Sequence, residues 1–262
     1  MSRLGHGVDI AVATRSEADY AESIRYFTQS TWTFDVQDEF GNWPSEYDGP
    51  IPFSATFEPS ANGATATADG MCAAYQGTWP YAPGVDNFGT DEVAVSFSLT
   101  VEGSQGTSTS YTNKPALRYY RDATAVSPLI EVLSTASRGA LSFIGRAVTI
   151  NVYDAAGAVA ATFSKTIGNG GIQPYITVVK TPTVVEVYID AYLEATIDVS
   201  AYTFAPSVAG DVDHRVEFYS FMGAGTIQHT FNELLIVSKR LTAGEVSWLY
   251  DGGSIRSLGE LE

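Results

Sequence analysis

The sequence predicts an all-β protein: an antiparallel double-sheet β-sandwich of jelly-roll type, with a short helix near each end. Three observations carry this. Apolar and polar residues alternate over many short stretches, the period of a half-buried strand. Turn signals built from Gly, Pro, Asp and Asn separate those stretches. Only two segments combine helical spacing with capping residues, too few for a parallel α/β sheet. With 262 residues, 45% hydrophobic and 17% charged, the chain can bury a substantial core as one large domain.

Residues 1–30 read as an N-terminal arm and short helix, and residues 31–262 as the sandwich. Ser16 and Asp19 have the spacing of a capping box. Ala18, Ala21 and Ile24, with Tyr20 and Phe27, fall at helical intervals, so a helix is expected near Glu17–Phe27, packed on the sandwich or on a neighbour. The residues before it have little to bury and should fray unless held. Thr31–Val36 alternates, with Trp32 and Phe34 on one face. Ile51–Phe57 is read as a strand after a turn-rich loop holding Trp43-Pro44 and Asp48-Gly49-Pro50. Asp91–Val101 is the clearest strand: Val93, Val95, Phe97, Leu99 and Val101 share one face. Gly103–Thr112 is read as a polar loop. PLIEVLS, ALSFI and AVTINVY follow as strands. Asp154–Gly157 marks a hairpin turn into VAATFSK, and Gly168–Gly171 a second turn into IQPYITVVK.

The end of the chain is the most informative stretch. Phe231–Val237 is a short apolar run that suits a buried strand. Thr242 and Glu245 then form a capping box, and Leu241 and Val246 flank it as a hydrophobic staple. Asp251-Gly252-Gly253 is expected to stop the helix. This strand-then-helix ending resembles the end of laminin-G-like domains, matched at Leu241, Thr242, Glu245, Val246, Leu249, Tyr250 and Gly252. A second likeness lies at Val187-Tyr188-Ile189-Asp190, which fits that family's strand and tight turn. Ala191 stands where the family usually has Gly, and a turn needing positive φ would be strained there. Gln173-Pro174-Tyr175 replaces the family's usual Trp-His. The resemblance covers Asp91–Gly253 and implies a concanavalin-like double sheet.

Composition narrows the function classes. A formal charge of −16 argues against nucleic acid and anionic membrane as partners. No run has membrane-spanning length, so membrane insertion is not expected. The single Cys72 excludes an intrachain disulfide and a multi-cysteine metal site, and reads as a small core residue. No secretory h-region is visible at the N-terminus. A laminin-G-like fold without a signal suggests a virion protein, made in a host cytoplasm and working outside it.

Glucanases of the double-sheet fold place carboxylates on one strand face as Glu-x-Asp-x-x-Glu. No predicted strand carries this pattern, and Asp35, Asp38 and Glu39 read as a solvated loop. His214 and His229 read as strand residues facing solvent, without metal-ligand spacing. Asp211 and Asp213 are the candidates for a rim Ca2+ site, the one cofactor raised. The aromatic-rich stretch with Tyr75, Trp79, Tyr81 and Phe88 could stack sugar rings; the rival reading is rings folded back over the open end of the sandwich.

The expectation is a non-enzymatic structural and adhesion protein of a phage virion, resembling minor tail proteins of tailed phages. Its expected partners are other virion proteins and copies of itself, joined through the N-terminal third, with host-surface glycan as a further contact. The alternative is a stand-alone carbohydrate-binding module or lectin. A glycosidase with an unrecognised site ranks third.

Overall fold

In the computed structural model the described residues are 17–32, 34, 37–45, 51–52, 54–60, 63–78, 92–103, 110–138, 143–167, 174–204, 213–221 and 227–250. In chain order they form α1 (Glu17–Phe27), β1 (Thr28–Trp32), β2 (Phe57–Ser60), β3 (Gly63–Ala66), β4 (Gly70–Thr78) and β5 (Val93–Gly103). Then come β6 (Ser110–Tyr120), β7 (Ile130–Arg138), β8 (Phe143–Tyr153), β9 (Val159–Thr166) and β10 (Tyr175–Lys180). The chain ends with β11 (Val184–Ile189), β12 (Tyr192–Asp198), β13 (Asp213–Ser220), β14 (Ile227–Val237) and α2 (Ala243–Leu249). Two antiparallel sheets pack face to face. The eight-stranded sheet runs β12-β11-β10-β5-β14-β3-β2, with β1 also paired to β14; the six-stranded sheet runs β4-β13-β6-β7-β8-β9.

The alternation expected over Asp91–Val101 is realised in β5. Val93, Val95, Phe97, Leu99 and Val101 are buried between the sheets. They meet Val132, Ile150, Val216 and Phe218 of the opposite sheet in one continuous core. Burying side chains of this size stabilises by about 1.5–3 kcal/mol each. Rings of Phe57, Phe218 and Phe231 lie within 5.0–6.4 Å of one another at the heart of it.

The outer face of the eight-stranded sheet is covered by the two helices. Ala94, Val179, Leu235 and Val237 lie beneath Ala21, Ile24, Val246, Trp248 and Leu249. The capping box of α2 is present: Glu245 N donates to Thr242 Oγ1 at 3.3 Å, and Thr242 N donates to Glu245 Oε2 at 2.8 Å. Leu241 and Val246, the staple, are fully buried. Lys239 pairs with Glu245, and Ser23 Oγ of α1 donates to Glu245 Oε1 at 3.0 Å, so one carboxylate ties both helices together. Helix α1 thus docks on its own sandwich through Ala21 and Ile24. No helix among the described residues is long and apolar enough to cross a membrane.

Three expectations change. Ile51–Phe57 is not a strand: Ile51 makes an isolated bridge to Trp43, and strand β2 starts only at Phe57. Hydroxyls of Ser54 and Thr56 bond the Cys72 carbonyl, and Phe57 N bonds Ser54 O, so local turns replace the ladder. Strand β6 begins at Ser110, inside the expected loop. Register shifts at Tyr111/Lys114 and Pro115/Leu117, and Asn113 at φ 52°, hide its alternation. The tight turn after β11 survives without glycine: Asp190 and Ala191 sit at φ 51° and 64°, the two left-handed positions of a two-residue hairpin. The helix stop at Asp251–Gly253 and the turn at Gly168–Gly171 lie outside the described residues.

Candidate functional site

Among the described residues no helix covers the outer face of the six-stranded sheet, which carries an ordered set of polar side chains. Strand alternation puts them there. Leu117 and Tyr119 point into the core, so Arg118 and Tyr120 point out. Ile130, Val132 and Ser134 point in, so Glu131, Leu133 and Thr135 point out. By the same rule β8 presents Thr149, Asn151 and Tyr153, and β13 presents Arg215, Glu217 and Tyr219. Antiparallel register then lines up one residue from each strand: Ala74, Glu217, Arg118, Glu131, Asn151 and Thr162.

Hydrogen bonds lock this row. Arg118 donates Nε to Glu131 Oε1 at 2.8 Å, and its Nη2 lies 2.8 Å from the same oxygen. Its Nη1 donates to the Tyr219 hydroxyl at 3.2 Å, with the guanidinium 4.9 Å from the Tyr219 ring centre. Tyr153 donates to Glu131 Oε2, and Tyr219 donates to Glu217 Oε2, both at 2.5 Å. Arg215 Nε lies 2.9 Å from Glu217 Oε1, and the guanidinium stacks 3.9 Å above the Tyr120 ring. Nη1 of Arg215 holds the Ala123 carbonyl at 2.6 Å, which pins the loop between β6 and β7.

The electrostatics follow from this geometry. Burial and then the Glu217 carboxylate push the Tyr219 hydroxyl up to about 12, against the opposing pull of Arg118. Burial and Glu131 raise Tyr153 as well. Both phenols therefore stay protonated donors at neutral pH. Toward β9 the face becomes uncharged: Thr162 Oγ1 donates to Asn151 Oδ1 at 3.0 Å, and the Thr149 and Ser164 hydroxyls pair at 2.8 Å. One half of the face is a closed ion-pair network and the other a bed of amides and hydroxyls.

The sequence candidates fall elsewhere. Tyr75 lies in β4 with its ring turned inward, 6% exposed, 5.1 Å from Trp32 and 5.8 Å from His214. A ring so covered offers no face to a sugar; Tyr75 is a core residue. Trp79, Tyr81, Phe88 and Asp211 lie outside the described residues, as does the Asp213 side chain, although Asp213 opens β13. Among the described residues no group of three or more His, Cys, Asp or Glu could hold a metal ion. Asp38 caps its own loop, accepting from Phe40 N and Asn42 N at 2.9 and 2.8 Å.

The histidines correct a second expectation. His214 and His229 do not face solvent, and β13 and β14 are in different sheets. Both rings are fully buried between the sheets. His229 bridges the two sheets: Nδ1 donates to the Tyr219 carbonyl at 2.6 Å, which leaves Nε2 to accept from Ser134 Oγ at 2.7 Å. A hydroxyl beside an imidazole is the start of a nucleophile–base pair, but this one has no route to a substrate, because Ser134 is also fully buried.

Sequence reasoning missed Arg118, Glu131, Asn151, Arg215 and Glu217. The period-two signal was there in IEVL, INVY and HRVEFY. What joins these residues is the strand order, which places β13 beside β6 although they are far apart in sequence.

No family model matches the chain, and no curated protein does. Solved structures share its fold. The botulinum neurotoxin serotype D binding domain superposes with TM-score 0.61 at 10% identity, covering 89% of this chain and 52% of that one. The serotype D ligand binding domain in complex with N-acetylneuraminic acid gives 0.54 at 9% identity, covering 89% and 52%. The binding domain of botulinum neurotoxin DC in complex with rat synaptotagmin II gives 0.50 at 8% identity, covering 86% and 51%. The chain thus spans about half the length of the chains it matches. At these identities the likeness is one of fold.

Proposed function

We propose that this protein is a non-enzymatic recognition module of lectin type, which holds carbohydrate on the outer face of its six-stranded sheet. The observation that carries the reading is the locked polar row across five of the six strands, on a sheet face that no helix among the described residues covers. Saccharide hydroxyls both donate and accept, and the Thr149, Ser164, Asn151 and Thr162 groups do the same. Rigid, pre-oriented partners lose little freedom on binding, which favours affinity. The fold neighbours support a binding role: one is a complex with N-acetylneuraminic acid and another a complex with rat synaptotagmin II.

Two features favour binding over hydrolysis. A glycosidase needs a bond held between two carboxyls. Arg118 fills the register position between Glu131 and Glu217, and each carboxylate has both oxygens engaged. The sealed Ser134–His229 pair has no access. A virion setting, as in a tail protein that grips a host surface, would use the same face.

The test is a glycan array probed with the wild-type protein and with Asn151→Ala. Binding to a set of oligosaccharides, weakened at least tenfold by Asn151→Ala, supports the reading. Binding lost in Trp79→Ala and intact in Asn151→Ala would move the site to the aromatic loop. Release of reducing sugar from any bound polysaccharide would make the protein an enzyme.

A further inference from the structure

The arginines of the candidate face limit what it can hold, an argument that rests on the reading of that face as a glycan site. We infer that the face selects neutral oligosaccharides and rejects sugars that carry a carboxylate, such as sialylated chains. A sugar carboxylate is best recognised by charge-assisted bonds, above all by the paired N–H groups of a guanidinium. Both guanidiniums of this row are already engaged within the protein. Arg118 directs Nε and Nη2 to Glu131 and Nη1 to Tyr219. Arg215 is ion-paired with Glu217, Nε lying 2.9 Å from Oε1, and directs Nη1 to the Ala123 carbonyl at 2.6 Å and Nη2 to the Ala125 carbonyl at 3.4 Å. Each is also stacked on a tyrosine ring, so neither can swing toward a ligand without giving up several contacts at once.

The remaining described lysines of this sheet are engaged as well. Lys165 pairs with Glu194 across the seam between β9 and β12, and Lys114 lies 4.1 Å from the Phe221 ring centre. A carboxylate placed over Asn151 would therefore meet Glu131 next to it in register, without a guanidinium turned toward it. Glu131 is already paired with Arg118, so that pair offers an anion no net attraction, and the chain's formal charge of −16 adds a repulsive field on approach. The uncharged half of the face presents the opposite case. Its hydroxyls and its amide form bonds with sugar hydroxyls whatever the salt, because no net charge is involved.

The experiment is a titration of the full chain against one oligosaccharide in two forms, N-acetyllactosamine-terminated and the same chain capped with N-acetylneuraminic acid. Expected is binding of the neutral form and at least tenfold weaker binding of the sialylated form, with the gap narrowing in Glu217→Gln, which leaves the Arg215 guanidinium without its paired charge. Glu131→Gln, which releases Arg118, is the second variant should the first fail to fold. Equal or tighter binding of the sialylated form by wild type overturns the inference and leaves the glycan reading standing. A matched array on which no oligosaccharide of either form binds overturns both.

Discussion

His229 has both ring nitrogens committed, to Ser134 and to the Tyr219 carbonyl, inside a sealed interface between the sheets. Burial disfavours the cation, and the ring's affinity for a proton falls from the ordinary 6.5 to about 4, although the carbonyl bond opposes this. The folded value is depressed, so the unfolded chain takes up the proton first as pH falls. Stability from this group is complete above about pH 6.5 and is lost on the way to about pH 4. The full loss is about 3 kcal/mol. Urea titrations at pH 7, 5.5 and 4.5 should show this slope in wild type and a shallower one in His229→Gln; equal slopes would place the loss elsewhere. Ala191 makes a second residue-scale case. It holds a left-handed φ of 64° where a glycine would sit without strain. Ala191→Gly should stabilise by about 0.5–1 kcal/mol, read from the denaturant midpoint at unchanged slope. The sequence already raised this strain from the missing glycine. It gave no hint that His229 points inward, since a lone histidine in a polar-looking strand has the same letter whichever way it faces.

At the level of elements, α2 was the most legible part, because its evidence is local. Thr242, Glu245, Leu241 and Val246 stand within six residues of one another and need no partner strand to be recognised. Local and tertiary contributions can be separated by mutation. Thr242→Ala removes one acceptor and should cost about 1 kcal/mol. Leu249→Ala empties a fully buried site against the eight-stranded sheet and should cost about 2–5 kcal/mol. Comparable small losses in thermal or urea unfolding would mean that the helix does not depend on the sheet. Strand β6 was the least legible. Its register shifts, Pro115 and the left-handed Asn113 break the period that sequence reading relies on. Ile51–Phe57 failed for the converse reason: its composition suits a strand, while Ser54 and Thr56 hydroxyls bond the Cys72 carbonyl instead of leaving the segment to a ladder.

For the whole molecule, the sandwich was legible because burial follows alternation, as Val93 to Val101 show. The binding face was not, because it exists only once β13, β6, β7 and β8 stand side by side. Glu217 and Arg118 are about a hundred positions apart and meet through sheet order alone. Closing the sandwich also buried Tyr75, which the sequence had offered for stacking. The direct measurement of where a sugar sits is a methyl NMR titration of the full chain with the oligosaccharide ranked highest on the array. Shifts concentrated at Thr135, Thr149, Thr162 and Leu133, with Ala21 and Val246 of the two helices unmoved, are the expected result. Shifts confined to the exposed Leu193 of the β12 edge, or to the helix-covered face, would contradict it.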